Sequence, residues 1–201
     1  PSRVTKDGIV EINIQEGYVA GIEITFIDKD GNTQDEKGRK IKGKTKRWVI
    51  ERELATQAGD IFNRSILEAD IKRLYSTSLF SDVKVTLKPV KSEPGKIIIV
   101  LGITEQRTGT LTGGIGYSGG QGVFGQIGLQ ESNLVGRSWS TNTNLTYGEY
   151  GALLNLSLYD PWIKNDKHRT SFRTSLYLSR EVPQEFRSRE NGSIRGVTDR
   201  Y

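Results

Sequence analysis

The sequence predicts a chain in two parts. A small α+β module, ordered strand, helix, helix, strand, strand, is followed by antiparallel transmembrane β-barrel strands that form an incomplete barrel. Three observations predict it. Charge is dense before Thr108, whereas between Thr108 and Ser157 only Glu131, Arg137 and Glu149 are charged. Before that point the apolar spacing mixes helical and strand periods, and after it every periodic segment alternates by two. The longest apolar run, Ile97–Leu101, is far short of the roughly 18–20 residues of a membrane-spanning helix, so any contact with a bilayer core has to be made with strands.

The elements follow in order. Ile9–Gln15 alternates around Val10, Ile12 and Ile14 and reads as a strand, but starts too abruptly to belong to a complete unit. Gly21–Ile27 is a second strand, with Ile22, Ile24 and Phe26 on one face. Asp28–Gly43 is polar, glycine-punctuated and loop-like. Lys46–Gln57 is helix-like: Ile50, Leu54 and Ala58 share a face, and Gly59 stands where a C-terminal cap belongs. Ser65-Ile66-Leu67-Glu68 reads as a capping box opening a second helix, along which Leu67, Ile71, Leu74 and Tyr75 form an apolar stripe. Val83, Val85 and Leu87 alternate in a strand. A turn over Lys91–Gly95 leads to the continuously apolar Lys96–Leu101, as expected of a central strand.

The second part shows no helical period. Thr108–Tyr117, Val123–Glu131, Ser138–Tyr147, Ala152–Tyr159 and Arg169–Arg180 each read as strands. One face of each is apolar; the other carries Ser, Thr, Asn, Gln and Gly rather than Lys and Glu. That fits a wet barrel interior, and strands of about 9–11 residues suit an outer-membrane barrel. Trp139, Tyr147, Tyr159, Trp162 and Tyr177 lie near the expected strand ends, where an aromatic girdle would sit. A soluble β-sandwich with a charge-poor polar face is the alternative. Five strands cannot close a spanning barrel, which needs at least about 8, so further strands are expected beyond these.

Composition excludes several functions. The 201 residues include 23 Gly, no Cys, no Met and one His, His168. A disulfide framework, a Cys-ligated metal and a thiol nucleophile are therefore ruled out. The net charge of +5, from 29 basic and 24 acidic residues well mixed along the chain, fits a solvated exterior, and no nucleic-acid partner is expected. Mean hydropathy is −0.50. Pro1 is not an initiator Met and no signal segment follows it, so a fragment or a mature product is expected.

A family resemblance rests on particular residues. Leu74-Tyr75-Ser76-Thr77-Ser78-Leu79-Phe80-Ser81-Asp82-Val83-Lys84-Val85 resembles the helix-to-strand signature of POTRA domains, the polypeptide-transport-associated modules. Thr104-Glu105-Gln106 resembles the junction to the barrel in BamA-type outer-membrane assembly and translocation proteins. Gln130–Gly136 and Tyr159-Asp160-Pro161-Trp162 resemble the first two periplasmic turns of that barrel. The cyanobacterial and chloroplast-envelope branch is the most similar. The resemblance implies that residues 1–17 end a preceding POTRA module, 18–106 are a POTRA domain and 107–201 are N-terminal barrel strands. It also implies a core signature of Leu74, Tyr75, Leu79, Phe80, Val83 and Val85.

Function, too, is implied by the resemblance. It is insertion or translocation of β-barrel or precursor proteins at a cell outer membrane or chloroplast outer envelope, without catalysis or cofactor. The partners would be unfolded outer-membrane or precursor polypeptides, the lipid bilayer and accessory assembly subunits. Rival readings are a secretion transporter of the same superfamily with one dedicated partner, and a soluble β-rich binding protein. Two departures stand out. Ser78 occupies a turn position where many POTRA repeats have Gly. Ile194-Arg195-Gly196-Val197 is only a displaced look-alike of the family's Arg-Gly-aromatic motif, whose role is not carried over.

No enzyme site emerges. Gly114-Ile115-Gly116-Tyr117-Ser118-Gly119 matches a dinucleotide fingerprint, but more Gly-rich strand follows where a helix is required. His168 reads as a surface-turn residue. Nine glycines fall in Gly109–Gly128, and Gly weakens a strand. The resemblance implies that Leu111, Gly113, Gly114, Ile115, Gly116 and Tyr117 line a weakly zipped lateral gate. Relief of crowding at barrel bends is the other explanation for the glycines. The Arg-rich tail Gln184–Tyr201 reads as a long surface loop.

Overall fold

The computed structural model of the chain describes residues 3–4, 10–11, 17–119 and 122–182. The chain divides into two compact units at Gln106/Arg107. A short antiparallel pair opens it, β1 (Arg3–Val4) with β2 (Val10–Glu11). The rest of the strand expected over Ile9–Gln15 lies outside the described residues, as do the tail Gln184–Tyr201 and its Arg195-Gly196 pair.

The first unit then runs β3 (Tyr18–Phe26), α1 (Arg47–Glu51), α2 (Arg64–Ser76), β4 (Phe80–Pro89) and β5 (Lys96–Glu105). The apolar β5 is central: the sheet order is β3-β5-β4, with β3 parallel and β4 antiparallel to it. Ile99, Leu101 and Ile103 sit beside Ile22, Ile24 and Phe26 on one side and Leu87, Val85 and Val83 on the other. Alternation turns this face toward the helices, and the core is closed by Val49, Ile50, Leu67, Leu74, Leu79 and Phe80.

Both helices depart from expectation at their ends. The helix predicted over Lys46–Gln57 stops at Glu51. The amides of Glu53 and Leu54 fall back to the carbonyls of Ile50 and Glu51, three residues behind. Those of Ala55 and Thr56 bond the Asp70 carboxylate instead of continuing the ladder, at 2.8 and 3.0 Å. Gly59, with φ +97°, is therefore no cap of this helix. Its amide donates to the carbonyl of Val19, in a segment running beside β3. The capping box is corrected as well. Asn63 is the N-cap, its Oδ1 accepting from the amides of Ser65 and Ile66, and Glu68 bonds Arg64 four residues behind it.

Tyr75 is a second correction. It is 41% exposed rather than part of the core. Its hydroxyl accepts from the Val83 amide at 3.0 Å and donates to Asp82 at 3.1 Å, tying the end of α2 to β4. Tyr75→Phe is expected to cost about 1 kcal/mol, a typical net hydrogen bond. A lower urea midpoint and faster exchange of the Val83 amide would show it. Ser78 holds the expected turn in the left-handed region, φ +57°.

The second unit is a meander in sequence order: β6 (Gly109–Ser118), β7 (Gly122–Leu134), β8 (Trp139–Gly148), β9 (Gly151–Asp160) and β10 (Phe172–Glu181), every pair antiparallel. The strand predicted from Arg169 begins at Phe172, because residues 163–170 form a closed turn in which Asn165 and Arg169 adopt positive φ. Tyr177 is corrected too: it lies midway along β10 and on the polar face, not in an end girdle. No helix among the described residues is long and apolar enough to cross a membrane.

Candidate functional site

The sheet of the second unit has two chemically distinct faces, built by register. Leu111, Leu129, Thr143, Leu156 and Leu176 line up across the five strands, and Gly113, Ile127, Leu145, Leu154 and Leu178 form the adjacent row. On the opposite face lie Thr110, Gln130, Asn142, Ser157 and Ser175, and beside them Thr112, Gly128, Asn144, Asn155 and Tyr177. The apolar face is open: Leu111 is 73% and Ile115 91% exposed. A contiguous aliphatic face of this kind is a liability in water and suited to lipid. Among the described residues of this unit there is a single sheet, with no second one to bury that face.

The six residues expected at a lateral gate all fall in β6, which forms one edge of this sheet and pairs with β7 alone among the described residues. The glycines of β6 differ in what they permit. A Cβ on Gly116 would meet the Phe124 ring at 2.7 Å, so any side chain there would have to displace that ring. At Gly113 and Gly114 a Cβ would find nothing closer than 3.7 Å. Crowding accounts for Gly116 and not for those two.

Other predicted residues are placed as follows. Leu74, Leu79, Phe80 and Val83 are in the core of the first unit, and Val85 packs against it. Tyr159 and Asp160 end β9, while Pro161 and Trp162 begin the turn to β10. The Asp160 carboxylate accepts the Trp162 amide at 3.1 Å, and the indole N–H donates to the Asp166 carbonyl at 2.6 Å. The amide of Thr170, with that of His168, holds the Asp166 carboxyl below its ordinary range. That contribution is present above the usual carboxylate range and is lost as pH falls through the depressed value. His168 is an exposed turn residue.

Sequence reasoning missed one feature of the β6–β7 pair. The Thr108 hydroxyl donates to Glu131, which also accepts the Asn133 amide, so one carboxylate clasps the start of β6 to β7. A lone acid in a stretch nearly without charge was the signal that could have found it. Among the described residues no group of acidic or histidine side chains is arranged to hold a metal.

Comparison with known proteins narrows the family. Residues 38–106 match the family described as POTRA: Surface antigen variable number repeat. Outer envelope protein 80, chloroplastic, of Oryza sativa subsp. japonica is 28% identical over 188 residues, covering 90% of this chain and 27% of the relative. The outer membrane protein assembly factor BamA of Nitratidesulfovibrio vulgaris is 30% identical over 147 residues, covering 71% of this chain and 18% of that relative. Residues 38–106 are a POTRA segment, and over most of its length the chain is similar to BamA-type proteins. Crystalline BamA from Haemophilus ducreyi lacking POTRA domains 1-3 shares the fold, with a TM-score of 0.60 at 20% identity over 89% of this chain and 32% of that one. Both relatives are named for an outer membrane, the one of a chloroplast envelope and the other of a bacterial cell. The chain spans about a quarter of the length of the chloroplast relatives, 27% and 24%.

Proposed function

We propose that this chain is part of an outer-membrane assembly factor. It inserts or translocates β-barrel or precursor polypeptides by offering backbone edges on which client strands form, with no catalytic residue or cofactor. In this reading residues 18–106 are a POTRA domain preceded by the end of another, and 107–201 begin a barrel whose lateral gate is lined by β6. The observation that carries the reading is the edge position of β6, together with glycines at 113 and 114 that packing does not require. A strand edge bonds any extended segment through its main chain, which suits a receptor for many clients. Glycine keeps the cost of opening such an edge low.

A second edge is supported in the POTRA domain. The start of β3 is covered, since the amides of Val19 and Phe62 bond the carbonyls of Asp60 and Gly17 and Arg47 donates to the Ile22 carbonyl. On β4 the Tyr75 hydroxyl takes the outward amide of Val83. By alternation, the amides of Val85 and Leu87 face outward too, on a strand that pairs only with β5 among the described residues. Residues 84–88 are therefore the POTRA edge assigned to clients.

Cysteines placed at Leu111, Gly113, Ile115 and Tyr117 are expected to crosslink to a client strand during its insertion. Cysteines in β9, paired on both sides, are expected to crosslink at least about tenfold less, since their main-chain groups are already bonded. Equal yields from the two strands would defeat the privileged edge.

A further inference from the structure

We propose that the end of the second unit's sheet bearing the β7–β8 and β9–β10 turns is a contact surface for anionic phospholipid headgroups. The inference rests on the reading of this sheet as membrane-spanning. Register puts both turns at one end, since Leu134 pairs Trp139, Ser140 pairs Tyr159 and Asp160 pairs Phe172. Each turn repeats one arrangement. In the first, the Arg137 guanidinium lies 5.0 Å from the centroid of the Trp139 ring, in a turn that also carries the exposed Val135. In the second, Arg169 lies 4.4 Å from the Trp162 ring, next to the exposed Ile163.

From the aliphatic rows outward the sequence of chemistries is therefore alkyl side chain, indole, cation. A bilayer presents the complementary layers in the same order: acyl chain, interface, phosphate. A guanidinium laid on an indole face is oriented by it and remains a cation that attracts an anion.

Charge favours the same occupant. Residues 135–138 and 161–171 contribute Arg137, Lys164, Lys167 and Arg169, all exposed, against the single carboxylate Asp166. That carboxylate is engaged by amides of its own turn. At the opposite end, the β8–β9 turn, residues 149–150, contributes Glu149 and no cation. An acidic protein surface would satisfy the cations but would leave Val135 and Ile163 in water, whereas a leaflet takes both.

The test uses the full-length protein reconstituted in phosphatidylcholine vesicles containing roughly one-fifth phosphatidylglycerol, an anionic leaflet that attracts surface cations. Lipid retained on detergent extraction is quantified by native mass spectrometry. Phosphatidylglycerol is expected to be enriched over its bulk share on the wild type. Enrichment should fall about tenfold or more in a variant carrying Arg137→Gln, Lys164→Gln, Lys167→Gln and Arg169→Gln, given the contribution of each juxtamembrane cation. Independently of any substitution, about 0.5 M salt should remove most of the wild-type enrichment by screening. Equal enrichment in wild type and variant, or salt-insensitive enrichment, overturns the proposal. So does loss of a co-purifying acidic protein with lipid retention unchanged. Alkaline carbonate extraction separates this failure from that of the reading beneath it: a protein that stays embedded without headgroup preference defeats only the lipid surface, and one released by carbonate defeats the membrane-spanning sheet.

Discussion

Leu74→Asp is expected to unfold the POTRA domain. Leu74 is fully buried in α2 and belongs to the core cluster over Ile99, Leu101 and Ile103. The substitution removes an aliphatic side chain, a loss of about 2–5 kcal/mol for truncation at such sites. It also places a carboxyl where nothing bonds it, which costs several kcal/mol more. The total reaches or exceeds the roughly 5–15 kcal/mol that holds an ordinary domain together. Urea denaturation of a segment spanning residues 17–106, followed by far-ultraviolet circular dichroism, measures it. Leu74→Met, which keeps shape and polarity, should stay within about 1.5 kcal/mol of wild type. A cooperative transition of Leu74→Asp at the wild-type midpoint would refute the register of α2.

How far the sequence was legible depends on what kind of interaction sets each boundary. The five strands of the second unit were all readable, with ends within about three residues, because period-two alternation in a charge-poor segment leaves little competing pattern. The central place of β5 was readable from its unbroken apolar run, since a strand flanked on both sides has no polar edge to show. The helix ends were not. Asn63 and Ser65 are both sound N-caps by composition, and only the path of the chain into α2 selects Asn63. Tyr75 sits at stripe spacing, yet its ring turns out of the core because its hydroxyl has the Val83 amide to satisfy. Edges are the hardest feature to read. That β6 pairs on one side among the described residues, and that Glu131 clasps its start, depend on neighbours far along the chain.

The short α1 had a visible cause that a purely apolar reading overlooks. Asp70 lies three residues after Leu67 and four before Leu74, so it falls on the buried face of α2. A carboxylate there must be paying out its acceptors to something inside. It accepts the amides of Ala55 and Thr56 and, at 2.6 Å, the Thr56 hydroxyl, and it pairs with Arg73. Arg73 in turn donates to the Glu53 carbonyl at 2.9 Å. Asp70→Ala is therefore expected to cost about 3–5 kcal/mol, the range for removing one partner of a buried charged pair and stranding its donors.

Asp70→Asn should recover part of that loss, since one oxygen remains for an amide. Adding Thr56→Val to Asp70→Ala should cost less than the sum of the two single changes, because the hydroxyl stranded by the first is removed by the second. A double-mutant cycle on urea midpoints of the 17–106 segment reads the coupling. Strict additivity would mean that Asp70 acts through Arg73 alone, and that the end of α1 is set by something other than capture of its next two amides.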